Sequence, residues 1–227
     1  MLNIEKPTLI INKDIVLSNI KTSKELSKKL SISFRPHFKT HQSLEVGTWF
    51  KKLGIKKITV SSVEMAKYFS NQWDDITIAF PFNILEIKKV NILLKKITIN
   101  LLVDSIETIE FLDNNLNDKI LVYVKIDLGY KRAGISFNDL KKIKLTIKKI
   151  KNSKMLSFGG FLSHFGNTYN SKNKTDISKT YINSINNIET LKFNLDQRIN
   201  FSIGDTPSLS ILKRVPDYVN EIRPGNF

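Results

Sequence analysis

Residues 98–127 read TINLLVDSIETIEFLDNNLNDKILVYVKID, and this stretch decides the fold class. The apolar runs Thr98–Val103 and Ile120–Asp127 predict two buried strands. Between them, Ile106–Leu116 carries apolar residues at helical spacing. A strand, a helix and a second strand in this order predict two parallel strands joined by a crossover helix.

The same alternation extends in both directions along the chain. Six more strands are expected, at Ile32–His37, Lys57–Val60, Ile76–Phe80, Met155–Ser163, Ile199–Ile203 and Tyr218–Arg223. Further helices are expected at Asp14–Leu30, Leu44–Leu53, Val63–Ser70, Ile84–Lys95, Phe137–Ile150, Ser178–Leu191 and Thr206–Leu212. An apolar run at Thr8–Ile11 precedes them all and is expected to lie outside the strand ring.

Eight such strands predict an α/β fold, a (β/α)8 TIM barrel, with residues 1–227 as one domain. An open, doubly wound sheet is the alternative. The glycine-rich G-x-G-x-x-G turn typical of dinucleotide-binding sheets does not follow the first strand, which favours the barrel.

The composition is typical of a globular protein, with 41% apolar and 25% charged residues. The formal charge is +15, yet only five of the 36 basic residues are Arg, the residue that dominates specific phosphate and base contacts. The lysines are spread in pairs over the predicted helices. We therefore expect no nucleic-acid partner, because charge alone predicts only non-specific contacts.

The chain has no cysteine, which excludes disulfides and thiolate metal sites. Met1–Thr8 shows no apolar leader. The most apolar stretch, Val90–Val103, is interrupted by Lys95 and Lys96 and is too short to span a bilayer. We expect no membrane association and a cytoplasmic location.

Reactive side chains follow the carboxyl ends of the predicted strands, where barrel enzymes carry their active sites. Lys39 follows the first strand, Arg132 the fifth, and His164 closes the sixth; Gly204–Ser208 and Arg223–Gly225 follow the last two. Taken singly, these features also fit a surface lysine, an ion pair, a core histidine and a capped turn. Their convergence at one barrel mouth favours a functional site.

The chemistry of these residues indicates a phosphate-bearing aldehyde cofactor. The turn Gly204–Thr206 runs into a predicted helix and offers free backbone N–H groups to a phosphate. Lys39 stands near Arg35, His37 and His41 in sequence, and such cationic neighbours would lower the pKa of its amine. A phosphate site together with an amine that can form an imine indicates pyridoxal 5'-phosphate.

Five motifs resemble one known family: RPHFKTH at 35–41, Asp127–Gly134, His164 with Gly166 and Tyr169, Gly204–Ser208, and EIRPGNF at 221–227. In this order, over almost the whole chain, they resemble the D-threonine aldolase and D-serine dehydratase family. That family shares fold type III, the alanine racemase N-terminal type of barrel. The resemblance implies a lyase acting on small D-3-hydroxy amino acids, and it is compatible with a homodimer.

The resemblance also implies residue roles. Lys39 would carry the Schiff base and act as a base at the substrate Cα. The other cofactor contacts would be Arg132 at the phenolic oxygen, His164 against the ring, Tyr169, Gly204, Asp205 (through its backbone) and Thr206 at the phosphate, and Arg223 at the pyridine nitrogen.

Members of the family continue into a β-rich domain that binds a divalent metal, zinc or manganese. The ligands of that metal are not in this chain, and no metal ligand is assigned here. The sequence stops after the eighth strand, before the helix that would close the barrel. We therefore expect uncovered apolar surface at the last strand, marginal stability or self-association, and little lyase activity from this chain alone.

Two other functions compete with this hypothesis. A single-domain pyridoxal-phosphate-binding protein of cofactor homeostasis, without lyase activity, would fit the length but not the motifs. A basic nucleic-acid-binding protein would rest on net charge alone. The sequence does not choose between aldol cleavage and dehydration.

Overall fold

The computed structural model describes residues 4–195 and 198–227, so the start of the Met1–Thr8 segment lies outside the described residues. The strands are β1 Ser33–Phe34, β2 Ile58–Val60, β3 Asp75–Pro81, β4 Thr98–Val103, β5 Ile120–Asp127, β6 Ile135–Ser136, β7 Leu156–His164, β8 Phe201–Gly204 and β9 Val219–Ile222. The helices are α1 Lys13–Lys29, α2 Leu44–Lys52, α3 Val63–Phe69, α4 Ile87–Leu94, α5 Ile106–Asn115, α6 Leu140–Asn152, α7 Lys174–Phe193 and α8 Thr206–Leu209. Short 3-10 helices span Ile84–Glu86 and Gly166–Asn170.

Eight parallel strands form a closed ring. Their order is β1-β9-β8-β7-β5-β4-β3-β2, and the two-residue β6 pairs with the end of β5. A single bridge between His37 and Thr59 joins the two ends of this order. There the Phe38 N–H donates to the Thr59 carbonyl (2.9 Å) and the Thr59 N–H to the Pro36 carbonyl (2.8 Å). The predicted (β/α)8 barrel is thereby confirmed.

Short polar side chains start the long helices. The side chain at each N-cap accepts a hydrogen bond from a backbone N–H of the first turn, which would otherwise lack a partner. These caps are Asn12, Ser43, Ser62, Ser105, Asp139 and Asn173. The caps explain why the helices begin where they do.

An aromatic cluster packs outside the ring and anchors the loop after β1. The ring of Phe38 lies 4.9 Å from Phe50, 5.1 Å from Phe69 and 5.2 Å from Trp73, measured between centroids. Phe38 is fully buried. Because Lys39 is the next residue, this packing places its backbone at the barrel mouth.

Two glycines allow a shift of register between β5 and β7. Val122 pairs with Phe158, but Tyr123 pairs with Gly160, so one residue of β7 is left over. Gly160 has φ +117°, and a Cβ there would lie 2.5 Å from the Asn200 carbonyl oxygen. Only glycine fits this backbone without strain.

Several predicted boundaries were wrong. The first strand is two residues long instead of the six of Ile32–His37, because Pro36 cannot donate a ladder hydrogen bond. The helix expected over Phe137–Ile150 begins at Leu140, after the unpredicted β6 and the Asp139 cap. The expected Thr206–Leu212 helix ends at Leu209.

Two more predicted helices differ from the structure. The helix expected over Ser178–Leu191 is longer and begins at Lys174, because Asn173 caps it. The expected Ile84–Lys95 helix is divided into a 3-10 turn and α4. Thr8–Ile11 has no regular structure and lies outside the sheet, as predicted.

The expected uncovered surface at the last strand was also wrong. Val219 and Ile222 of β9 are only 2% and 3% exposed. The exposed apolar residues instead lie near the start of the chain, where Leu9 is 80% and Ile10 58% exposed. None of the helices described is long and apolar enough to cross a membrane.

Candidate active site

A cavity opens at the carboxyl ends of the strands. Four residues predicted for the site line it: Lys39, Arg132, His164 and Arg223. Lys39 comes from the loop after β1, Arg132 from the loop between β5 and β6, His164 from the end of β7, and Arg223 directly follows β9. The fold therefore brings residues that are far apart in sequence to one mouth of the barrel.

The Lys39 amine is half-buried in this cavity. Burial lowers its pKa from the ordinary value, and the positive charges of Arg132 and Arg223 lower the pKa further. A lower pKa makes more of the amine neutral and nucleophilic at a given pH. Lys39 is close to the last motif as well, because a Cβ on Gly225 would lie 3.4 Å from its Cε.

The expected source of this effect, cationic Arg35, His37 and His41, was wrong. The guanidinium of Arg35 points into the barrel, where its Nε lies 2.8 Å from Glu221. Burial lowers the pKa of His37 well below its ordinary value and that of His41 to about 4, so both rings are neutral at pH 7. The direction expected for the pKa of Lys39 was right, but other cations cause the shift.

Thr206 is the centre of a polar cluster near Lys39. Its backbone N–H donates to the Tyr169 hydroxyl at 3.2 Å. Its own hydroxyl oxygen accepts from the backbone N–H groups of Gly225 and Asn226, each at 3.1 Å. Two hydroxyls and three backbone N–H groups thus converge on a small region, which is a set of donors suited to an anion.

Gly204 and Asp205 shape the floor beside this cluster. A Cβ on Gly204 would lie 3.1 Å from the guanidinium of Arg223, so the two groups are in close contact. The Asp205 carboxylate accepts from the Thr168 hydroxyl (2.7 Å) and the Ser208 N–H (2.8 Å). These bonds occupy the carboxylate, and helix α8 beyond it has only four residues.

His164 presents a neutral ring to the cavity. Its Nδ1–H donates to the Gly204 carbonyl, which places the proton on Nδ1. Burial lowers the pKa of His164 to about 3. The rings of Tyr130 and Tyr169 each lie 5.9 Å from it between centroids, so the three rings form one aromatic wall.

Arg223 is buried, with 5% of its surface exposed. Its Nε donates to the Ser202 hydroxyl and one Nη2 hydrogen bond goes to the Ser163 carbonyl, both at 2.7 Å. Burial lowers the pKa of Arg223 to about 10, and the group stays a cation at neutral pH.

Lys125 was missed from the sequence. It lies on β5, is 9% exposed and lines the same cavity. Burial lowers its pKa to about 7, and the charge of Arg223 contributes. The periodicity of β5 could have predicted this position of Lys125. Tyr123, Lys125 and Asp127 alternate with the apolar residues of the strand and so share its inner face.

Across residues 4–195 and 198–227, no three His, Asp or Glu side chains are grouped so that they could hold a metal ion.

Comparison with known proteins gives the family of the chain. The sequence profile of the alanine racemase N-terminal domain matches residues 11–227. The chain belongs to this family. Among curated proteins, it is 30% identical over 253 residues to D-serine dehydratase of Dictyostelium discoideum, covering 99% of this chain and 62% of that protein. A D-serine dehydratase of Saccharomyces cerevisiae is 28% identical, over 91% of this chain and 57% of that protein.

Solved structures of the alanine racemase type share the fold. D-threo-3-hydroxyaspartate dehydratase from a Delftia species superposes with a TM-score of 0.79 at 21% identity, over 98% of this chain and 60% of that one. D-threonine aldolase from Filomicrobium marinum gives a TM-score of 0.84 at 19% identity, over 97% and 62%. The chain thus spans about 60% of the length of these relatives.

Proposed function

We propose that the cavity binds pyridoxal 5'-phosphate through Lys39, and that the protein is a lyase acting on D-3-hydroxy amino acids. The observation that carries this proposal is the half-buried Lys39 amine, with its lowered pKa, in one cavity with Arg132, His164 and Arg223. Relatives named D-serine dehydratase and a structural neighbour named D-threonine aldolase support the reaction class.

The residues present fit the phosphate of this cofactor. Phosphate oxygens accept hydrogen bonds from N–H and O–H donors, and the donors around Thr206 are of these two kinds. The backbone N–H groups of Gly225 and Asn226 share a single acceptor, the Thr206 hydroxyl oxygen, so they have capacity for a stronger one. We assign Tyr169, Gly204, Asp205 (through its backbone) and Thr206 to the phosphate, as the sequence predicts, and add the N–H groups of Gly225 and Asn226.

When bound, the cofactor supplies an aldehyde that links to a lysine amine and a ring that withdraws electrons from the substrate Cα. Lys39 would supply that amine and a base at the Cα hydrogen. Arg223 would offer a cation to the ring nitrogen and so disfavour protonation there. The neutral His164 ring would lie against the cofactor ring, and Arg132 would offer a cation to the phenolic oxygen.

The remaining parts of the proposal follow from the sequence. The proposed substrate is a small D-amino acid that carries a hydroxyl on its β carbon. The proposal includes both dehydration and aldol cleavage of this substrate. A cytoplasmic location and a homodimer remain expectations. A zinc or manganese ion expected for the wider family has no set of ligands among the described residues.

The test is to trap the cofactor and find its lysine. Purified chain is mixed with pyridoxal phosphate, reduced with borohydride and mapped by mass spectrometry. We expect a near-visible absorbance band and a label on Lys39. Lys39→Ala should lose both, because the attachment point is gone, whereas Lys51→Ala on the exposed face of α2 should keep both.

Lys125 makes the mapping necessary, because its amine lies in the same cavity. A label on Lys125 in the unaltered chain, or an unchanged spectrum in Lys39→Ala, would refute the assignment. Turnover of D-serine or D-threonine would exclude the alternative function, a single-domain protein of pyridoxal-phosphate homeostasis without lyase activity.

A further inference from the structure

A chain of charged and polar groups runs through the barrel interior to Arg223. At its lower end the Arg35 guanidinium contacts both Asp75 oxygens, with Nη1–Oδ1 at 2.7 Å and Nη2–Oδ2 at 3.2 Å. Its Nε donates to Glu221 Oε2 at 2.8 Å. The Ser202 hydroxyl lies 2.8 Å from Glu221 Oε1 and 2.7 Å from Arg223 Nε. These groups connect the start of β3 with Arg223, the residue that follows β9.

The direction of each hydrogen bond in this chain is determined by chemistry. Arg223 Nε can only donate, so the Ser202 oxygen accepts there. The single Ser202 proton is then free to point at Glu221, which accepts it as a carboxylate. Burial would raise the pKa of Glu221, but the charges of Arg35 and Lys57 lower it below the ordinary value. Glu221 is thus held as an anion behind Arg223.

The contacts fix the orientation of the Arg223 guanidinium. Nε is bound to Ser202 on one side, and Nη2 is bound to the Ser163 and Ser202 carbonyls at 2.7 and 3.2 Å. Among residues 4–195 and 198–227, Arg223 Nη1 forms no hydrogen bond, while the side chain lines the cavity. One edge of the guanidinium is therefore anchored and one nitrogen remains for a ligand.

We propose that Glu221, acting through Ser202, is a positioning residue that orients Arg223 toward the ring nitrogen of the cofactor. The part of this inference that concerns the ring nitrogen rests on the proposed function, but the part that concerns Arg223 does not. Ser202 links Glu221 to the orientation of Arg223. Among the described residues, its hydroxyl alone hydrogen-bonds to both the Glu221 carboxylate and Arg223 Nε. Arg35 and Asp75 hold Glu221 in place from below.

The first experiment uses the chain without cofactor. The Arg223 Nε–H proton is followed by NMR, and its exchange with water is measured. In the unaltered chain we expect one slowly exchanging signal. Ser202→Ala removes its acceptor and should speed exchange at least tenfold. The control is Thr146→Val, which removes another buried hydroxyl, on helix α6 and outside this network, and should leave this signal unchanged.

Glu221→Gln is a second variant in case Ser202→Ala does not fold. It keeps an oxygen for Ser202 and removes the charge, so the signal should shift and exchange faster. An Arg223 proton that stays equally protected in both folded variants would overturn the positioning role. If both hydroxyl variants speed exchange alike, general loosening of the barrel explains the result and the proposal is wrong.

The second experiment adds pyridoxal phosphate labelled with ¹⁵N in its ring. We expect the ring-nitrogen resonance to change with Ser202→Ala and Glu221→Gln but not with Thr146→Val. If the unaltered chain binds no cofactor while Arg223 responds as expected, the proposed function fails and the orienting role of Glu221 stands. If the cofactor binds and its resonance is the same in all variants, the link to the ring nitrogen is wrong.

Discussion

Two lysines in one cavity differ in what surrounds them. Lys39 is half-buried on a loop, whereas Lys125 is 9% exposed on β5. Burial lowers the pKa of Lys125 to about 7, so about half of its amines are neutral at neutral pH. Charging this amine in the folded state works against folding, while the unfolded chain carries it as an ordinary lysine.

This difference predicts how stability changes with pH. The pKa of Lys125 is about 7 in the fold and 10.5 as the ordinary value, so the unfolded chain binds more protons between these values. Stability should therefore rise with pH across this window, and the cost of Lys125 should be fully present below about pH 7. Lys125→Met should stabilise the cofactor-free chain at pH 7 by a few kcal/mol, on the order of 1.4 kcal/mol per pKa unit.

Urea unfolding at pH 7 and pH 9.5 measures this. The advantage of Lys125→Met should shrink at the higher pH. Lys119→Met, at an exposed position just before the same strand, should show no such change. Equal effects of the two substitutions at both pH values would contradict the burial argument.

The sequence was a good guide to which residues meet and a poor one to where each side chain points. The sequence predicted Lys39, Arg132, His164 and Arg223 for the site because each lies at or after the carboxyl end of a strand. The place where these ends meet depends only on strand order. Arg35 was assigned to the mouth because it is near Lys39 in sequence. It lies on the other side of Pro36, where the side chain faces into the barrel and pairs with Glu221.

At the scale of elements, the strand β7 depends on a glycine that no other residue replaces. Gly160 has φ +117°, and a Cβ added there would lie 2.5 Å from the Asn200 carbonyl oxygen. Gly160→Ala should destabilise the chain by about 2–5 kcal/mol, from backbone strain and the clash together.

Gly129→Ala isolates the strain, because its φ is +106° but the nearest atom to an added Cβ is 3.8 Å away. It should cost about 1–3 kcal/mol. Denaturant midpoints at unchanged slope give both values. A cost for Gly160→Ala no larger than that for Gly129→Ala would show that β7 can move away from Asn200.

Elements with strong local signals were predicted well. Strands β4 and β5 match their expected bounds, since their apolar runs are long and end at polar residues. The weak points were β1 and β6, two residues each, which depend on neighbours in the barrel rather than on their own sequence. A glycine pair such as Gly159–Gly160 signals a bulge only when the partner strand is known.

At the scale of the whole molecule, apolar side chains near the start of the chain are exposed to solvent. A shallow depression is lined by Leu9, Ile11, Val16, Val46, Phe50 and Phe227. Near the start of the chain, Leu9, Ile10 and Ile15 are 80%, 58% and 57% exposed. A contiguous patch of this kind favours association. We expect the 227-residue chain to self-associate through this surface.

Sedimentation velocity over a range of concentrations tests this. Leu9→Gln combined with Ile10→Gln should shift the population toward monomer. Phe193→Gln, which changes a single exposed aromatic residue on α7, should not. A chain that stays monomeric at all concentrations would contradict the prediction.

The closure of the barrel has a consequence for motion. One bridge, His37 to Thr59, joins β1 to β2, while β5 and β7 share six paired positions. A strand pair held by few hydrogen bonds opens more readily than a pair held by many. Local opening of the native barrel should therefore begin at this seam and leave the β5–β7 pair intact. Lys39 stands two residues from the seam, and each opening exposes its loop to solvent. Opening at the seam would then add to the access that the cavity mouth already gives to the lysine.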